Sequence, residues 1–248
     1  MGLNPLMLSP VYLALEGDFE RSLAACKEAV HIARDSSDSL RLAAALYSSG
    51  LVYYHLRKYE STITAFEEVF KILKSNDRRD LYDYVYTYLA CTYARTGKMT
   101  AALKTARQAL LLEHEFDAGE PGRSALAIAL VLRHRDRLGA KTSQVLSAIT
   151  EQTGLEESAD AYFDRAIFQA RTVSHALTLV PTLREYARWL LQKTQADSDS
   201  EGEKENDSLR RLALSCLREA RTRARSADMR AELRLIEKLA LDKQLTLD

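Results

Sequence analysis

Along most of the chain, small and apolar positions recur three and four residues apart, the period of a helix with one buried face. One stretch departs from this. Tyr82 to Tyr93 reads YDYVYTYLACTY, with tyrosine at every second position from Tyr82 to Tyr88. Strict alternation is the mark of a half-buried strand. The flanking pattern argues for a helix instead. On a helix, Tyr82, Tyr86, Leu89 and Tyr93 share one face, and Tyr84, Tyr88, Cys91 and Arg95 share another about 200° away. Two faces that both take aromatics give alternation without an extended backbone.

The flanking pattern is a repeat. GDFERSLAACKEAV from Gly17, RKYESTITAFEEVF from Arg57 and GKMTAALKTARQAL from Gly97 start 40 residues apart. Phe19, Tyr59 and Met99 coincide, as do Ser22, Thr62 and Ala102, then Cys26, Phe66 and Ala106, then Ala29, Val69 and Ala109. Upstream, LYSSGLVYYHLRKY aligns with YTYLACTYARTGKM, which pairs Gly50 with Ala90 and Tyr53 with Tyr93. Each unit is therefore a helix, a tight turn near Arg57 or Gly97, and a second helix.

Beyond Leu112 the register weakens. EHEFDAGEPGRS, with two glycines and Pro121, reads as a longer connection. Helices are expected over 124–138, 142–152, 176–193, 209–225 and 229–242, with that over 176–193 kinked or started by Pro181. GLEESADAYFDRAIFQAR has Ala159, Phe163 and Ala166 at the spacing of a repeat's second helix. ADSDSEGEKEND, residues 196–207, carries no apolar side chain beyond alanine and is expected to be a solvated, mobile loop. The helix after it holds Arg210, Arg211, Arg218, Arg221, Arg223 and Arg225, read as the polar outer face that terminal solenoid helices need. The count is about twelve helices, in three regular repeats over 1–115 and a divergent continuation over 116–248 with a C-terminal capping helix.

Leu46, Gly50, Tyr53, Phe66 and Val69, and again Tyr86, Leu89, Ala90, Tyr93, Ala102 and Ala109, fill the slots of a known pattern. The chain resembles the tetratricopeptide repeat family, in a variant whose period is 40 instead of about 34. The resemblance covers roughly residues 10 to 113, and Thr62 and Ala106 depart from it. It implies an all-α, right-handed superhelical solenoid of antiparallel helix pairs. It also implies a concave groove lined by Tyr47, Leu51, Tyr54 and His55, and by Tyr84, Thr87, Tyr88, Cys91 and Arg95. Tyr86, Leu89, Tyr93, Tyr53 and Phe66 would then be core. Chaperone-binding members hold a C-terminal carboxylate with lysine and asparagine. Leu51 and Cys91 stand where the asparagines would be, so that mode is disfavoured. Packing of these aromatics against neighbouring repeats is the alternative to groove lining.

Composition narrows the function. Thirty-five basic and 35 acidic residues give zero net charge, which offers no global attraction to nucleic acid or an anionic membrane. Three distant cysteines, none in a CxxC pair, suit a reducing compartment without a disulfide framework or zinc site. No apolar run approaches the ~20 residues of a membrane span. The N-terminus lacks a basic region and carries Pro5 and Pro10, against a signal peptide; Leu6 weakens a myristoylation signal at Gly2. There is no HExxH, phosphate-cradling glycine loop or GxSxG elbow. His114 and Glu115 are adjacent and do not face each other on a helix. Cys91 reads as a structural thiol rather than a nucleophile.

The expectation is thus a non-catalytic, cytoplasmic scaffold or adaptor without cofactor or metal. It would bind another protein, as a peptide or helical segment, at Tyr47, Leu51, Tyr54, His55, Tyr84, Thr87, Tyr88 and Arg95. Tyr84, Tyr88, Tyr47 and Tyr54 are expected as one accessible aromatic patch. The alternative is a helical subunit or sensor domain of a larger complex, using its ends and convex surface. An enzyme or nucleotide-regulated protein whose site leaves no motif is a further rival.

Overall fold

The computed structural model describes residues 5–116, 122–194 and 200–247. They form twelve α-helices and two short 3₁₀ turns, with no strand among the described residues. The helices are α1 (Pro5–Glu16), α2 (Phe19–Asp35), α3 (Ser39–His55), α4 (Tyr59–Ser75), α5 (Tyr82–Arg95) and α6 (Met99–Phe116). After them come α7 (Arg123–Leu132), α8 (Ala140–Thr153), α9 (Ala159–Thr172), α10 (Ala176–Lys193), α11 (Ser200–Ser226) and α12 (Arg230–Asp242).

The 40-residue period reappears as backbone geometry. Gly17, Arg57 and Gly97 all have positive φ, at 92°, 58° and 77°. Each closes a helix in the same way. The amide of the next residue bonds a carbonyl five back: Asp18 to Leu13, Lys58 to Tyr53 and Lys98 to Tyr93, at 2.8–2.9 Å. Ser37 and Asp77, at φ 55° and 52°, mark the return turns. Asp18 and Asp38 cap α2 and α3 through their carboxylates. The repeat's small positions Ser22, Thr62 and Ala102 are all fully buried. Gly50 meets the Phe66 ring so closely that an added Cβ would lie 2.6 Å from it. This is why the aligned residue in the next unit, opposite Ala106, can be Ala90.

The helices pack in consecutive pairs as an all-α repeat solenoid, α1 on α2, α3 on α4 and α5 on α6. Beyond α6 the pairing changes. Helix α7 packs on α5 and α9, α10 packs on α9 and α11, and α12 packs on α10 and on α1. The first and last helices thus touch, and the inner helices make a closed circuit of contacts.

Several expectations need correction. Helix α7 ends at Leu132 and gives way to a 3₁₀ turn, so it stops short of residue 138. Helix α10 runs Ala176–Lys193 as expected, and Pro181 lies inside it and does not start it. The acidic segment expected as a loop is helical from Ser200 onward, as the first turns of α11. Residues 195–199 lie outside the described residues, as do 117–121 of the expected long connection. That connection is shorter than expected, since α6 runs to Phe116.

Candidate functional site

The tyrosine run is helical, but burial does not divide its two faces as expected. Tyr88 is 0% exposed, and Tyr47, Tyr54, Leu51 and Thr87 are buried with it. Tyr86, Tyr93 and Tyr53, expected as core, are only half-buried. Leu89 and Phe66 are core as expected. Tyr82 and Tyr86 lie against Phe70, with ring centroids at 4.6 and 5.2 Å. The four tyrosines expected as an accessible patch are instead mostly interior. Tyr88 packs edge-on to Tyr54 at 5.2 Å and to Tyr47 at 6.3 Å, and lies 5.8 Å from Phe66. Tyr84, His55 and Arg95 keep partial exposure.

The reason is what packs against these tyrosines. Arg123, the first residue of α7, which is otherwise apolar but for Ser124, is fully buried. Its guanidinium lies 4.0 Å from the Tyr88 ring centroid and 5.9 Å from that of Tyr54. The same guanidinium donates to the Leu177 carbonyl at 3.1 Å and to Thr178 Oγ1 at 3.0 Å. Leu177 stands four residues before Pro181, and a proline has no N–H to give it. Arg123 therefore supplies the hydrogen bond that Pro181 withholds, and it ties α7 to α10 across the aromatic cluster.

Next to this lies a cluster of arginines around one carboxylate. Glu185 of α10 has a side chain 0% exposed. Its Oε1 accepts from Arg95, Arg184 and Arg188, each at 3.1 Å. Its Oε2 accepts from Arg133 at 3.1 Å and Arg188 at 3.0 Å. Arg184, 3% exposed, also donates to Glu232 of α12 at 2.9 Å. Arg95 reaches back to the Tyr54 hydroxyl at 3.4 Å. One polar network thus joins α3, α5, α7, α10 and α12.

The electrostatics follow from the geometry. Burial works against the Glu185 charge, but Arg95, Arg184, Arg188 and Arg133 together outweigh it and hold the carboxyl far below the usual range. Burial likewise works against Arg95, yet the Tyr54 hydroxyl and Glu185 outweigh it and raise its pKa. Arg133 goes the other way. Burial lowers its pKa, and the neighbouring Arg95 and Arg188 reinforce that against the pull of Glu185. Burial pushes the Cys216 thiol up to about 11 and also raises Cys26, so neither is an activated nucleophile. Among the described residues no cluster of His, Cys, Asp and Glu could hold a metal ion. No helix searched is long and apolar enough to cross a membrane.

The spacing of the tyrosines did not reveal this network. A signal was present nonetheless: Arg184 and Glu185 interrupt the apolar run TLVPTLREYARWLL at core-facing positions, where unpaired charge is costly. Arg123 directly precedes SALAIALVL, a helix apolar all round and so buried all round.

The outer side carries two further features. Between α2 and α4, over α3, runs an open trough of about 590 Å³. Lys27, His31 and Arg34 line one wall, Glu60 and Glu68 the other, and Arg34 meets Glu68 at 3.6 Å. On α11, Arg211, Arg218 and Arg225 are exposed at seven-residue spacing, while Ala213, Leu217, Ala220 and Ala224 are buried on the opposite face. Arg171 of α9 pairs with Glu219 beside that stripe.

A search of curated proteins returns no match. The family profile described as anaphase-promoting complex subunit 5 matches residues 4–53 and again 46–118. The two matches overlap over residues 46–53, within α3, so the same profile fits successive stretches of the regular half. The chain is therefore similar, over its first six helices, to that family of helical complex subunits.

Proposed function

We propose that this chain is a non-catalytic helical scaffold that works as a subunit of a larger protein assembly, making contacts through its ends and outer surfaces. The observation that carries this is the burial of the expected groove tyrosines by the chain itself. Tyr54 and Tyr88 are buried against the Arg123 guanidinium of the chain's own α7, and Tyr47 against Tyr88 and Phe66, so they offer little surface to a peptide. Of the residues expected to bind a partner, His55, Tyr84 and Arg95 keep enough exposure to do so from the rim. The similarity to a family of complex subunits supports the same reading, and the anaphase-promoting complex is the first assembly to test. The two-signed trough beside α2 and α4 is the outer surface best suited to a partner segment.

The test is native sizing of the tagged chain from its own cells, followed by cross-linking. The expected result is elution far above the 27.9 kDa monomer, with cross-links from outer residues such as Lys27 to stoichiometric partners. A chain that elutes as a monomer under gentle lysis, with no reproducible cross-link, would overturn the reading.

A further inference from the structure

The arginine cluster carries more positive charge than its surroundings neutralise. Arg95, Arg133, Arg184 and Arg188 meet two carboxylates among the described residues, Glu185 and Glu232. Two positive charges are left over at a site where the arginine side chains are 3% to 32% exposed. Uncompensated charge in such surroundings is costly, whereas an internal ion pair that balances costs far less. Three of the four side chains keep some exposure, Arg95 at 14%, Arg133 at 15% and Arg188 at 32%. They converge from α5, from the end of α7 and from α10, and they are held in place by the one carboxylate they share. The buried Nε of Arg133 has no acceptor among the described residues.

We propose that Arg95, Arg133 and Arg188 form a binding site for a doubly charged oxyanion, of which a phosphoryl group is the chemical class. The charge decides between ligands. A phosphate monoester carries about −1.5 to −2 at neutral pH and cancels the excess, while a carboxylate cancels half of it. Planar guanidiniums match phosphate oxygens with paired donors, so three of them fix its orientation as well as its charge. Glu185 acts as the hub that keeps the arginines fanned and stops them from repelling one another when the site is empty. The phosphoryl group can come free, as inorganic phosphate, or on a phosphorylated protein segment.

Thermal unfolding of the purified chain tests this independently of the assembly reading, since no partner is needed. The probes are inorganic phosphate, the acetylated tripeptide Gly-phosphoserine-Gly, its unphosphorylated form, and acetate, all against chloride at matched ionic strength. At tenfold its dissociation constant, phosphate or the phosphopeptide should raise Tm by about 3–5 °C. Acetate and the unphosphorylated peptide should bind at least about tenfold more weakly, as expected for a site that distinguishes two charges from one. The tighter of phosphate and phosphopeptide identifies the source. Arg188→Gln, at the most accessible of the three, should fold and lose most of the shift, and Arg133→Gln should do the same. Arg211→Gln on α11 should retain it. Shifts no larger than with chloride, acetate binding as well as phosphate, or full retention in Arg188→Gln would each overturn the proposal.

Discussion

Glu185 pairs with four arginines that come from α5, from the end of α7 and from α10. Its removal would leave four arginines facing one another without their shared acceptor, and breaking a buried pair in this way costs about 3–5 kcal/mol. Urea denaturation of Glu185→Ala should show a loss of that size. Its depressed pKa also fixes a pH dependence. The stabilisation is complete above the unfolded carboxyl value of about 4.3 and is lost progressively as pH falls below it. Glu185→Gln should therefore flatten the acid side of the stability profile. The tyrosines divide by burial and not by register. Tyr88→Ala, which removes a ring in contact with Tyr47, Tyr54, Phe66 and Arg123, should cost about 3–5 kcal/mol. Tyr84→Ala, at a half-buried position, should cost about 1 kcal/mol. Equal losses for the two would mean that the inner face is not organised around Tyr88.

At the scale of elements, two glycines set how closely helices approach. A Cβ on Gly122 would lie 2.3 Å from the Ala166 carbonyl oxygen, and φ there is 81°. Gly122→Ala should destabilise the α7–α9 contact by at least about 2 kcal/mol, since backbone must move and the conformation is strained. Gly50→Ala meets the Phe66 ring instead and should cost about 1–3 kcal/mol, the usual cost of overpacking. Differential scanning calorimetry of both variants checks the order. The start of α11 is a different case. Lys204, Glu205 and Asp207 are exposed, and the helix buries its apolar face only further on, at Ala213, Cys216, Leu217, Ala220 and Ala224. Removing residues 200–207 should reduce helical circular dichroism by about two turns' worth and shift Tm by less than about 2 °C. A larger, salt-sensitive drop would show that this segment makes ionic contacts elsewhere.

The whole molecule is closed by α12. Glu232 pairs with buried Arg184, and Arg234 lies against Gly17 at the end of α1. A free solenoid end needs only a polar cap, whereas this one completes a circuit. Deleting residues 230–248 should remove one of the two carboxylates that Arg184 meets and expose α1 together. The expected outcome is a broadened, less cooperative thermal transition with faster hydrogen exchange in α1 as well as α10. If exchange in α1 is unchanged, the contact between the first and last helices contributes nothing to stability.

The sequence by itself determined what short-range pattern can determine. It determined the helices of the regular half, the turns at Gly17, Arg57 and Gly97, and the small positions at Ser22, Thr62 and Ala102, because each depends on residues within one repeat. It misplaced the acidic start of α11, since composition reports solvation and not whether a solvated segment is helical. It also assigned the inner face to a partner, as a regular open array would have it. Only the tertiary structure decided otherwise. Arg123 and Glu185 lie 35 and 97 positions after Tyr88, and nothing local says they will return to cover it or its neighbour Arg95. Which face of a helix is interior depends on what the rest of the chain brings against it. Here that is a set of charges whose cost is offset only when α5, α7, α10 and α12 are assembled together.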